Sequence, residues 1–329
     1  MVFTISKDEK KILIILGILL LLIILMTIYN SRKIYKDKNK ILNSKILFID
    51  SSSTVNDFED NFNQNKKIGK TDFTRIICTN NMNNWNNIAE KIYNSYNMYN
   101  SFVVYCDSNE IVNAASSLSF ILENLGKPVI LTCSDNITDT LKITSKTKIN
   151  EVMVEVDKKL IRGCKSKISK NEIVSYNYPL LDKSNSLSFP TENLQLKKIN
   201  PSINVIVIKL YDNFDVNSIS IIPDEINING IILENNYKNL DEILHILLKF
   251  INAMTKKGIP IIYIDKINDE PITELLETNI AYGNDMTRTT AITKLMFLLT
   301  YVNNIEVINK LAETSLRGEI TNENFLNIN

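Results

Sequence analysis

Two short polar turns carry most of the side chains that could do chemistry in this 329-residue chain. The first, Ser51-Ser52-Ser53-Thr54, follows the apolar run Lys45–Asp50, and the second, Cys106-Asp107-Ser108-Asn109-Glu110, follows Phe102–Tyr105. A hydroxyl or thiol becomes a nucleophile only beside a base or a positive field. The second turn lies in a unit, Phe102–Thr132, that reads strand, turn, helix, a Gly126-Lys127-Pro128 break and a second strand. Parallel strands joined in this way present the turn after the first strand as a site, because ligands bind at the strands' carboxyl ends. Taken alone, Ser-Ser-Ser-Thr also reads as a helix cap or an ordinary loop. Cys78, Cys106 and Cys133 fall at or near strand ends and could face one cleft. The only histidine, His245, sits in a helical pattern, so small cysteines filling apolar space is the plainer account. No phosphate loop, dinucleotide fingerprint or metal-ligand cluster occurs, so no metal and no cofactor are expected.

The elements that must position these turns alternate in type. Lys45–Asp50, Phe73–Thr79, Phe102–Tyr105 and Glu151–Val156 read as strands in the first half, with a helix over Asn84–Tyr99. In the second half Val205–Lys209, Gly230–Glu234 and Ile259–Asp265 read as strands. Helices follow over Leu240–Lys256, Thr289–Tyr301 and roughly Glu306–Ser315. Strands alternating with helices imply parallel sheets flanked by helices. The fold class is α/β: two parallel-sheet domains at 41–180 and 203–329, separated by an aperiodic linker at 181–202 and preceded by a transmembrane helix within 1–40.

That last expectation rests on Ile12–Tyr29, an uncharged run at the short end of a membrane-spanning helix. Residues 1–40 carry eight Lys/Arg against Asp8, Glu9 and Asp37, a net +5, and more of the basic residues follow the run than precede it. This distribution places the body on the cytoplasmic side of a single-pass anchor. The whole chain has 37 basic and 37 acidic residues, so the remainder sits near −5, which argues against nucleic acid as a partner. Four cysteines without a CxxC give no disulfide framework.

The order and spelling of several segments resemble the bacterial-type L-asparaginases, most closely the cytoplasmic type I branch. The segments are Leu118–Val129 (LSFILENLGKPV), Trp85-x-x-Ile88-Ala89-Glu90, Leu160–Gly163, Tyr282–Thr287 and Leu316–Thr321. The resemblance implies the family's fold and a homodimer or homotetramer. It aligns Thr54 with the nucleophilic threonine, Ser51 with the first threonine of the same turn, Ser108 with the second catalytic threonine and Asn109 with the catalytic aspartate. Lys167 matches the catalytic lysine after a one-residue deletion, with Lys165 nearby and a solvated surface lysine as the competing reading. Thr79 or Asn80 matches a substrate-binding serine.

The departures are concentrated in the turns. Both glycines of the family's first turn are serines here, the aspartate is Asn109, and the segment after the Lys-Pro-Val strand is shorter. Loss of a charge-balancing carboxylate removes the means of orienting a lysine beside the nucleophile. The resemblance therefore implies a membrane-anchored protein impaired or inactive in amide hydrolysis, with a binding or structural role. The alternative is a working amidohydrolase that releases ammonia from a small amide substrate through a Thr54 acyl-enzyme.

Overall fold

The structure of the chain, a computed structural model, describes residues 22, 24–27, 29, 44–53, 70–76, 81–212, 227–237, 240–266 and 273–321. A six-stranded sheet is built from β1 (Lys45–Asp50), β2 (Lys70–Arg75), β3 (Ser101–Tyr105), β5 (Val129–Thr132), β6 (Val152–Val156) and β7 (Lys159–Arg162). Its order is β2-β1-β3-β5-β6-β7, parallel except for β7, which pairs antiparallel with β6. A four-stranded parallel sheet holds β11 (Val205–Tyr211), β12 (Gly230–Asn236), β13 (Ile261–Asp265) and β14 (Ala281–Tyr282), in that order. Two small antiparallel pairs complete the strands: β4 (Leu122–Glu123) with β10 (Gln195–Leu196), and the hairpin of β8 (Ser166–Ser169) with β9 (Glu172–Ser175).

The helices are α1 (Met82–Ser95), α2 (Ile111–Ile121), α3 (Ile137–Lys146), α4 (Leu244–Lys256), α5 (Thr273–Leu276), α6 (Arg288–Tyr301) and α7 (Ile305–Glu313). The parallel α/β architecture expected from the alternation is present. Strand boundaries shift slightly: the second strand ends at Arg75, and Ile77–Asn80 lie outside the described residues. The 181–202 segment contributes only the short β10.

The core follows the two-residue period of a strand, which sends successive side chains to opposite faces. Leu47, Ile49, Phe102 and Val104 face α1 and α2, while Ile46, Phe48 and Val103 face Ile137 and Leu141 of α3. In the second sheet Leu233 and Tyr263 pack with Leu247 and Ile251 of α4. Its other face, through Ile232 and Ile262, meets Leu295 of α6 within the same buried cluster as the first sheet's helices. Phe120 of α2 lies against Phe297 of α6 with ring centroids 5.7 Å apart, so α6 is shared by both halves. Gly230 lets α6 come close to β12, since a Cβ there would fall 2.7 Å from Leu295.

Buried charge stitches the seam. Lys294 of α6 and Glu319 of the C-terminal tail are each 0 % exposed and form a 2.6 Å ion pair. Lys294 Nζ also donates to the carbonyls of Ala312 and Thr314, and Glu319 accepts from the amides of Leu316 and Arg317. Arg317 reaches back to Glu123 and to the Ser119 carbonyl of α2. Gly318 has φ +77°, a conformation that favours glycine, and a Cβ there would collide with the Arg162 guanidinium. Arg162 in turn is held by both oxygens of Glu151 at 2.7 and 3.1 Å. Nearby, Lys165 pairs with Asp285, whose carboxylate also accepts from the amide and hydroxyl of Thr321.

The expected single-pass anchor is not sustained. Among the described residues no helix is long and apolar enough to cross a membrane, which needs about 20 apolar residues for a ~30 Å hydrocarbon core. Of Ile12–Tyr29, the described positions are Leu22, Ile24, Leu25, Met26, Thr27 and Tyr29, helical and exposed; the rest lies outside the described residues. The membrane-bound placement inferred from that run, and the side assigned to the body, fall with it.

Two measurements check this account of the seam. Removing one partner of a buried ion pair strands the other charge, so Glu319→Ala should cost about 3–5 kcal/mol of unfolding free energy in denaturant titrations. Lys266, just beyond β13, has a half-buried ammonium that donates to the Met286 carbonyl. Burial, reinforced by Lys167 and Lys165, depresses its pKa from 10.5 to about 8 against the pull of Glu234 and Asp285. Below about pH 8 the folded state carries the full cost of that cation, and the cost fades as pH rises to about 10.5, where both states hold the neutral amine. Wild type should therefore gain stability relative to Lys266→Met across that window, as read by unfolding free energies at both ends.

Candidate active site

The two polar turns come together because β1 and β3 are adjacent parallel strands, with Asp50 in register with Tyr105. Both chains leave the sheet at the same edge, and the turns are bonded directly. Ser51 donates its amide to the Tyr105 carbonyl at 2.9 Å and its hydroxyl to the same oxygen at 2.7 Å. Its Oγ also lies 3.3 Å from Cys106 Sγ. The Ser53 amide donates to Asp107 Oδ2 at 2.9 Å, so a carboxylate of the second turn fixes the residue that precedes Thr54. Ser52 is turned inward: its amide and hydroxyl donate to Asp50 Oδ1 at 3.0 and 2.7 Å, and Asp50 is 1 % exposed.

The second turn is shaped by helix initiation. The amides of Glu110 and Ile111 donate to the Asp107 carbonyl, which brings the chain round into α2 and leaves Ser108 and Asn109 exposed. Glu110 is buried, and burial, reinforced by Asp107, raises its pKa above the usual carboxylate range. Ser108 and Asn109 open on a cleft of about 1010 Å³ at the carboxyl ends of β3, β5 and β6. Cys133, Ser134 and Glu155 line the same cleft, and the β8–β9 hairpin forms its far wall. Glu155 is buried and accepts from the hydroxyls of Thr132 and Thr140 and the amide of Lys158.

The residues expected from sequence separate into three groups. Ser108, Asn109 and Ser51 are at the paired turns, Ser51 with its hydroxyl turned into the backbone of β3 and the other two facing the cleft. Thr54, Thr79 and Asn80 lie outside the described residues. The lysines go elsewhere. Lys167 Nζ rests 4.0 Å from the centre of the Tyr176 ring, and Ile168 rather than Lys167 borders the cleft. Lys165, fully buried, is bound to Asp285. Neither lysine bonds to Ser108 or Asn109 among the described residues.

Asp107 and Glu110 were not among the site residues expected from sequence. Asp107 spans the two turns, because the tight spacing of β1 and β3 leaves the Ser53 amide without a strand partner and within its reach. Glu155 was also missed, and a lone carboxylate in the buried strand Val-Met-Val-Glu-Val was the available signal. Thiol chemistry is disfavoured: burial raises the pKa of Cys133 and pushes that of Cys164 up to about 12. His245 is exposed on α4, and Cys78 lies outside the described residues.

Comparison with known proteins agrees with this geometry. The family model described as "Asparaginase, N-terminal" matches residues 46–177. L-asparaginase 1 of Escherichia coli is 23% identical over 271 residues, covering 72% of this chain and 79% of that protein. Among solved structures, L-asparaginase I from Vibrio cholerae superposes with a TM-score of 0.74 at 21% identity, covering 85% of this chain and 100% of that one. The thermostable L-asparaginase from Thermococcus kodakarensis gives a TM-score of 0.69 at 18% identity, with coverage of 85% and 100%. Residues 46–177 thus match the model of the asparaginase N-terminal domain, and the chain as a whole has the asparaginase-type α/β fold.

Proposed function

We propose that this chain is an asparaginase-like protein impaired in amide hydrolysis, whose cleft at the carboxyl ends of β3, β5 and β6 serves binding. The observation that carries this reading is the destination of the two lysines. A hydroxyl needs a partner that takes its proton and a charge that stabilises the product, and Lys165 is bound to Asp285 while Lys167 lies on Tyr176. Asn109 has no carboxylate to draw either back. The serines in place of the first turn's glycines add Cβ atoms where the family approaches its substrate with bare backbone, and Ser51 and Ser52 are both turned inward. In this reading the protein works without a cofactor, as a homodimer or homotetramer by the family resemblance, with a division near 181–202 read from its aperiodic sequence.

One observation favours the runner-up, an active amidohydrolase. Asp107 is bonded to the amide of Ser53, next to Thr54, and so supplies a carboxylate at the paired turns from a different position. Thr54 Oγ would then attack the amide carbon, its proton would leave with ammonia, and water would release the acid, with Ser108 and Lys167 assisting. Purified full-length protein, assayed for ammonia release from Asn and Gln beside E. coli L-asparaginase 1, separates the two. The expected outcome is turnover at least about 10³-fold below the comparison enzyme and unchanged in Thr54→Ala. Turnover that Thr54→Ala abolishes would overturn the proposal.

A further inference from the structure

The cleft beside Ser108 and Asn109 has two walls of different character, and together they specify a class of ligand. Its volume of about 1010 Å³ is at the upper end of small-molecule sites. The aliphatic lining is made by Ile168, Ile173 and Val174 of the hairpin together with Leu180. Ile168 is 46 % exposed and Leu180 is 45 % exposed, so this apolar surface faces solvent. Such surface gains by covering, about fourfold in affinity for each methylene fully buried.

The rim of the cleft, including the tip of that hairpin, is acidic. Asp139, Glu155, Asp157 and Glu172 line the cleft against Lys158 and Lys159. Lys158 is already paired with Asp139 at 2.9 Å, which leaves three carboxylates to one ammonium. The placement follows from two tight turns. Asp157 and Lys158 turn β6 into β7, Lys170 and Asn171 turn β8 into β9, and all four have positive φ. Asp157 and Glu172 are both exposed at these tips and form no ion pair among the described residues.

We infer that this cleft binds an amphipathic amine, with its ammonium at the Asp157–Glu172 rim and its alkyl chain along Ile168, Ile173, Val174 and Leu180. The inference rests on the reading of the cleft as a binding site, and it adds the chemical class of the occupant. Excess carboxylate excludes a fatty acid from the same position, since its headgroup would face like charge. The aliphatic wall distinguishes the occupant from a short polar amine or a free amino acid, neither of which covers it.

Isothermal titration of the full-length protein at neutral pH tests this with three probes below their micelle concentrations: decylamine, butylamine and decanoate. Decylamine should bind at least about 100-fold more tightly than butylamine and at least tenfold more tightly than decanoate. The double variant Ile168→Ser/Leu180→Ser alters only exposed positions and should remove most of the chain-length dependence. Glu172→Lys should weaken decylamine and favour decanoate. Equal binding of decylamine and butylamine, equal binding of decylamine and decanoate, or wild-type affinity in the double variant would each overturn the inference. Ammonia release on the same preparation reports on hydrolysis independently: turnover with amine binding sinks only the impaired-enzyme reading, and neither outcome can stand in for the other.

Discussion

The ion pair between Lys294 and Glu319 is the constraint on which the relation of the two sheets depends. Both groups are out of water, so each must find its charge and hydrogen-bond partners inside the protein or cost several kcal/mol. Lys294 spends its donors on Glu319 and on two carbonyls at the end of α7; Glu319 takes two amides of its own turn. The tail can satisfy these groups in one position only. That position presses Arg317 onto α2 and Gly318 onto the Arg162 guanidinium, so a single short turn touches both sheets' supporting elements. Helix α6, which bears Lys294, is thereby fixed between α2 and β12, and the apolar contacts of Phe120, Phe297, Leu295 and Gly230 follow from that placement.

The same frame sets what the candidate site can present. Lys165 leaves a short 3-10 turn and is drawn into the seam by Asp285, which also holds Thr321 of the tail. A lysine engaged by a carboxylate in this way is not available to the paired turns. Lys167 is the second residue of β8 and lies on Tyr176, a ring that Lys266 also approaches, at 4.5 Å. The seam thus gathers the basic residues of this segment, and the cleft at the carboxyl edge is left with an acidic rim and an aliphatic wall. A cleft whose carboxylates outnumber its lysines is a poor place to build negative charge in a transition state and a better one to hold a cation.

At the paired turns the polar side chains are drawn inward while the strands that carry them are conventionally packed. Ser51 spends its hydroxyl on the Tyr105 carbonyl, and Ser52 spends its hydroxyl on Asp50, so two of the three serines have no free donor facing outward. The strands that carry them depend on apolar packing on both faces, which tolerates any polar change beyond their last residue. Loops at strand ends are therefore free to drift in chemistry without cost to the fold.

By itself the sequence determined the alternating α/β architecture and the placement of the two polar turns at strand ends. Buried strands such as Phe102–Tyr105 and Val129–Thr132 are legible because continuous apolar runs bounded by turn residues have few other uses. The Leu118–Val129 segment and the Leu-Arg-Gly-Glu turn carried the family resemblance because their residues are held by many neighbours at once. The starts of α1, α6 and α7 were legible to within two residues, and Asn81, Thr287 and Asn304 cap them through local bonds. What only the tertiary structure decided was where the long polar side chains end. Lys165, Lys167, Asp107 and Glu155 each have several partners within reach along a flexible stem. Which one wins depends on residues as far away in sequence as Asp285 and Ser53, brought near by packing that no local pattern encodes. The apolar run near the N-terminus marks the limit from the other side: hydropathy suggested a span, and among the described residues no helix is long and apolar enough to cross a membrane.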